Sequence, residues 1–145
     1  MTTESILQSI RSSDLRGPAL RRFAMERIAQ LPGYDWVGVY RLDGDTLVLD
    51  EYVGEATDHV RIAIGQGICG TAIAEDRNVT VSDVREVENY LACSVATRSE
   101  IVVLIRRGDA VLGQIDVDGH EVGTFGAADE AFLERVASVL AERWS

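Results

Sequence analysis

"YDWVGVYRLDGDTLVLDEYV", residues 34–53, decides the fold. Its first nine residues alternate with period two, "DGD" at 43–45 is a tight-turn signal, and "TLVLDEYV" resumes an extended pattern. Strand, short turn and strand make an antiparallel hairpin. A second unit of the same kind follows late in the chain, as "EIVVLI" (100–105), "RRGD" (106–109) and "AVLGQIDVDG" (110–119). "VRIAI" (60–64) and "VTV" (79–81) add two short strands.

Helices flank this β-rich centre. Residues 3–11 and 18–31 read as helical, the second from Leu20, Ala24, Ile28 and Leu31 at three- and four-residue spacing after Pro18. "GQGICGTAIAE" (65–75) predicts a short helix beginning near Ile68. Phe132, Val136, Val139 and Leu140 form the apolar stripe of a last helix over 127–144. Between 82 and 98 runs a polar connection without period, a length that in a compact domain often serves function. The expected organisation is one α+β domain over 1–145: N-terminal helices in 1–33, sheet and pocket loops in 34–126, and a C-terminal helix in 127–145.

Composition sets the class. A chain of 145 residues, 46% hydrophobic, buries a sizeable core without disulfide or metal. The formal charge of −10 repels phosphates, which argues against nucleic acid or anionic lipid as partner. No run of 18 apolar residues occurs, so no membrane span is expected, and the N-terminus carries no basic-then-apolar leader; the reading is cytoplasmic. Two cysteines, Cys69 and Cys93, in a reducing compartment read as thiols rather than a structural staple.

Alternation sorts each strand into two faces. Val37 and Val39, Ile101, Val103 and Ile105, and Ile115 and Val117 form a purely aliphatic side that suits packing under helices. Trp36, Gly38 and Tyr40, Glu100, Val102 and Leu104, and Gln114, Asp116 and Asp118 point the other way. If these strands are neighbours, three carboxylates stand beside Trp36 and Tyr40. A lone acid on a strand is ordinary solvated surface, but Asp and Glu are disfavoured in strands, and three on one face form a pattern. Packed together they cannot all ionise cheaply, so at least one holds its proton near neutral pH. The remaining charge suits an ammonium group and the rings suit an apolar or cationic moiety. A small zwitterion fits such a pocket. No metal and no cofactor are expected.

Cys69 falls just inside a predicted helix N-terminus, where free backbone N–H groups favour thiolate. Cys93 lies among small residues of the long loop, seven before Glu100. Either alone is more commonly a small buried hydrophobe.

Taken in order, "WVGVY" (36–40), "VRIAIGQGICGTA" (60–72), "LACSVATRSEIVV" (91–103) and "LGQIDVDG" (112–119) resemble the GAF-domain free methionine-R-sulfoxide reductases, over roughly residues 34–144. The resemblance implies a six-stranded antiparallel sheet with helices on one side and the ligand pocket on the other. It implies Cys93 as catalytic nucleophile, and Glu100, Asp116 and Asp118 as pocket carboxylates. Trp36 and Tyr40 would surround the substrate's thioether end. In that chemistry the Cys93 thiolate attacks the sulfoxide sulfur while Glu100 or Asp116 protonates the leaving oxygen. Asp118 binds the ammonium, and Cys93 is left as a sulfenic acid that a second thiol must reduce. The family commonly carries a third, resolving cysteine where this chain has His59. Three outcomes are open: Cys69 resolves Cys93, an external thiol such as thioredoxin or glutathione does so directly, or turnover is impaired. A homodimer is an expectation by similarity.

Two other classes stay open. A non-catalytic GAF module binding a small amino acid would use the same aromatic and acidic face, and His59 speaks for it. A structural dimerisation domain would explain the helices and leave the polar face without purpose.

Overall fold

The computed structural model describes residues 2–88, 90 and 96–145. Helices α1 (Thr3–Ser12) and α2 (Gly17–Ile28) lead into β1 (Trp36–Asp43) and β2 (Thr46–Val53). β3 (Arg61–Ala63), α3 (Gly67–Glu75) and β4 (Val79–Val81) follow, then β5 (Ser99–Arg107), β6 (Ala110–Gly119) and α4 (Ala127–Glu142). The six strands form one antiparallel sheet in the order β3-β2-β1-β6-β5-β4. The two hairpins, β1–β2 and β5–β6, join through the central β1–β6 pairing.

Each hairpin turns on a glycine with left-handed backbone, Gly44 at φ 64° and Gly108 at φ 60°. Tight turns between right-twisted strands demand such a residue. Helix α1 begins with a reciprocal cap: Thr2 Oγ1 accepts from the Ser5 amide, and Ser5 Oγ from the Thr2 amide, both at 3.1 Å. Helix α2 ends at Ile28, three residues before the apolar repeat does.

The face sorting holds throughout. Val37, Val39, Ile101, Val103, Ile105, Ile115 and Val117 are buried against Ile6, Leu20, Ile28, Val136 and Leu140 of the three long helices. On the other face Trp36, Tyr40, Val102 and Leu104 pack with Ile68, Cys69 and Ala72 of α3. The helices therefore do not all share one side, because the short α3 covers the polar-bearing face. Among the described residues no helix is long and apolar enough to cross a membrane.

Candidate active site

The polar face is built in three rungs across the central strands. Trp36 stands opposite Asp118, which stands opposite Glu100; Gly38 opposite Asp116, and that opposite Val102; Tyr40 opposite Gln114, and that opposite Leu104. The strand pairing alone thus gathers three carboxylates from β5 and β6 beside two aromatics of β1. All are shut away from solvent: Glu100 is 2% exposed, Asp116 and Asp118 0%.

Burial of that kind decides protonation. Removal from water raises the Glu100 pKa well above the usual carboxylate range, the charges of Asp116 and Asp118 raise it further, and a side-chain hydrogen bond with Asp116 adds to both. A hydrogen bond from Cys69 works the other way. Glu100 is therefore biased toward its protonated form beside two further carboxyl groups. Proton donors of this kind are what acid catalysis near pH 7 requires.

Cys69 reaches the cluster from above. Its thiol donates to Glu100 Oε2 at 3.7 Å, and one ligand atom each of Cys69, Glu100 and Asp116 lie within 4.8 Å of one another. Sulfur and carboxylate oxygens are donor types a divalent ion accepts. Here hydrogen bonds link Glu100 to both Cys69 and Asp116.

The local sequence explains why α3 sits so low. Gly65 (φ 90°) and Gly67 (φ 65°) reverse the chain before the helix. Gln66 Oε1 accepts from the Ala63 amide at 3.2 Å, and Gly65 N donates to Gly70 O at 2.8 Å. A Cβ on Gly70 would lie 2.3 Å from the Ala63 carbonyl oxygen, so only glycine lets the helix press against that turn. From below, buried Gln114 donates through Nε2 to the Cys69 carbonyl at 3.0 Å. Alternation places Gln114 on the polar face but assigns it no role. Its amide, mid-strand on the same face as Asp116 and Asp118, is the sequence signal that points to it.

The aromatics are equally constrained. The Trp36 indole donates Nε1 to the Glu55 carbonyl at 2.9 Å and stacks on Tyr52, ring centres 5.7 Å apart. Tyr40 donates its hydroxyl to the His59 carbonyl at 2.9 Å. Position 59 thus belongs to the wall of the site through its backbone.

Cys93 lies outside the described residues, as do its loop neighbours 89, 91, 92, 94 and 95. The described ends of that loop are pinned to the sheet. The Val84 amide donates to Arg98 O at 2.7 Å, and the Arg98 amide to Gly119 O at 2.8 Å, immediately before Glu100 on β5. Between α3 and β4 an apolar groove of about 360 Å³, lined by Ile68, Thr71, Val79, Val81 and Val87 among others, runs along this edge. Val81 is the residue paired with Glu100.

Comparison with known proteins bears on this arrangement. Residues 20–144 match the GAF domain family. The free methionine-R-sulfoxide reductase of Escherichia coli K12 is 35% identical over 111 residues, covering 77% of this chain and 67% of that protein. The chain spans about two-thirds of the length of the curated relatives it matches. Among solved structures, the type II free methionine-R-sulfoxide reductase from Thermoplasma acidophilum superposes with TM-score 0.83 at 35% identity, covering 96% of this chain and 94% of that one. The enzyme from Neisseria meningitidis, solved in complex with its substrate, gives TM-score 0.88 at 30% identity over 98% and 85% of the two chains. The chain belongs to the GAF-domain free methionine-R-sulfoxide reductase family, a family of oxidoreductases.

Proposed function

We propose that this chain reduces free L-methionine-R-sulfoxide to L-methionine with Cys93 as nucleophile and Glu100 as proton donor. The observation that carries the reading is a fully buried Glu100, its pKa raised by burial and by Asp116 and Asp118, hydrogen-bonded to Asp116 and Cys69 on the sheet face beside Trp36 and Tyr40. An acid that keeps its proton at neutral pH is what turns a sulfoxide oxygen into a leaving group.

The electrons balance without a cofactor. The Cys93 thiolate attacks the sulfoxide sulfur, Glu100 protonates the oxygen, and the sulfur–oxygen bond breaks. The substrate sulfur gains two electrons and leaves as the thioether; the Cys93 sulfur loses two and carries the hydroxyl as sulfenic acid. A second thiol then attacks that sulfur, expels water and leaves a disulfide for an external dithiol, such as thioredoxin, to reduce. Cys69, whose thiol already points at Glu100, is the internal candidate for this resolving step. Asp118 and Asp116 hold the substrate ammonium, and the Trp36 and Tyr40 rings face the thioether end.

Racemic free methionine sulfoxide and dithiothreitol test the reading. The natural chain should consume half the racemate, and Cys93→Ser none. Tight binding of methionine without any consumption would favour the amino-acid-binding module instead, a reading that His59 at the usual third-cysteine position supports. For Cys69→Ser, dithiothreitol-driven turnover should persist while thioredoxin-driven turnover slows; equal slowing with both reductants would remove Cys69 from the resolving role.

A further inference from the structure

Between Trp36 and Tyr40 the polar face of β1 carries a gap. Gly38 points the same way as both rings, and its cross-strand neighbours are Tyr52 on β2 and Asp116 on β6. The Trp36 indole fills the gap by lying down over it. A Cβ built on Gly38 would stand 2.5 Å from Trp36 Cη2 and 2.7 Å from Cζ3, with Tyr52 Cβ at 3.3 Å. The backbone itself asks for no glycine here, since Gly38 is not among the positive-φ residues. The requirement is for space alone.

Nor can the ring slide aside. Its pyrrole end abuts Gly54, where a Cβ would lie 2.6 Å from Trp36 Cδ1, and Gly54 takes φ 135°. Nε1 is tied to the Glu55 carbonyl at 2.9 Å and one face is stacked on Tyr52. Two glycines thus make a bed for the indole, and close-packed interiors pass such displacements on rather than absorbing them. Any atom added at position 38 must lift the benzo edge off the sheet.

We propose that Gly38 is a specificity-determining position, whose bare Cα sets how deep the S-alkyl end of the substrate sits beside Trp36 and Asp116. The proposal rests on the reading that Trp36 lines the substrate site. It makes the aromatic wall a fixed floor whose height one methyl group changes. It also predicts an order of loss, in which larger S-alkyl groups are excluded before methyl.

Four proteins test it: the natural chain, Gly38→Ala, Trp36→Phe and the double variant. Each is assayed with racemic free methionine sulfoxide and with its S-ethyl homologue, and each is titrated calorimetrically with L-methionine and L-ethionine. Gly38→Ala should raise KM and weaken product binding about tenfold for the methyl compound and more for the ethyl one, the scale of one misplaced methylene. Adding Gly38→Ala to Trp36→Phe, which removes the colliding ring atoms, should cost less than about threefold, the signature of two coupled positions. Unchanged affinity in Gly38→Ala, or the same penalty in both backgrounds, would overturn the proposal. Product binding is measured without turnover, so a natural chain that binds methionine but reduces nothing would count against the reductase reading and leave the Gly38 comparison intact.

Discussion

Glu100 is the proton donor of the proposed mechanism, and its environment makes two predictions. Its folded pKa lies well above the ordinary carboxyl value of 4.5, chiefly through burial and then through Asp116 and Asp118. As pH rises past the unfolded value, the unfolded chain releases a proton that the folded chain keeps. Stability contributed by the protonated group is full below that value and is lost as pH climbs toward the folded pKa. Glu100→Gln, neutral at every pH, should therefore melt higher than the natural chain at pH 7, with the gain vanishing near pH 4; no gain at pH 7 would mean Glu100 is ionised in the fold. The same variant should lose activity by about 10²-fold or more, because an amide cannot deliver the proton. In the natural enzyme kcat should fall as pH rises through the raised Glu100 pKa. Much of this was legible in the residues: two-residue alternation alone put Glu100, Asp116 and Asp118 on one face with Trp36 and Tyr40. Their complete burial was not, since it depends on α3 and on loops whose approach no local pattern encodes.

At the scale of elements, α3 is the piece that converts a polar sheet face into a closed site. Helix propensity would favour Gly70→Ala by about 1 kcal/mol. The added Cβ would meet the Ala63 carbonyl oxygen at 2.3 Å and Gly65 N at 3.0 Å, both backbone. The clash wins: the variant should be destabilised by roughly 1–3 kcal/mol and should lift Cys69 away from Glu100. Thermal denaturation and the alkylation rate of Cys69 report the two effects, and a variant more stable than the natural chain would contradict this account of the close approach. Gln114→Leu should cost about 1 kcal/mol by removing the bond to the Cys69 carbonyl, read from urea denaturation. The glycines of "GQGICG" announced the turn and the helix start, and Cys69 does fall in the first turn, Gly67 being the first helical residue. That its thiol would meet a carboxylate 31 residues away was beyond any spacing argument.

Across the whole molecule, one buried arginine fastens the chain's end to its middle. Arg21 of α2 is 4% exposed. It pairs with Asp50 of β2, donates to the Trp144 carbonyl and lies 4.1 Å above the Trp144 ring. The β1–β2 register skips Asp50, at the bulge between Val39 and Tyr40. Arg21→Met should cost about 2–4 kcal/mol by leaving Asp50 unpaired and partly buried, or roughly 10 °C in melting temperature. Arg77→Ala, which breaks the exposed pair with Glu75, should change stability by less than about 0.5 kcal/mol. Equal losses in a thermal melt would refute the contrast. Sequence periodicity foresaw both hairpins and the closing helix but not this tie, because it joins residues far apart in the chain through a bulge that alternation does not signal. The proposed mechanism needs an acid, two rings and a reactive sulfur held together, and one experiment tests that claim most directly. Cys69→Ser protein, stripped of reductant, is given excess free methionine-R-sulfoxide with dimedone and analysed by mass spectrometry. The account predicts one methionine released per chain and a single dimedone adduct on Cys93; no methionine, or an adduct elsewhere, would contradict it.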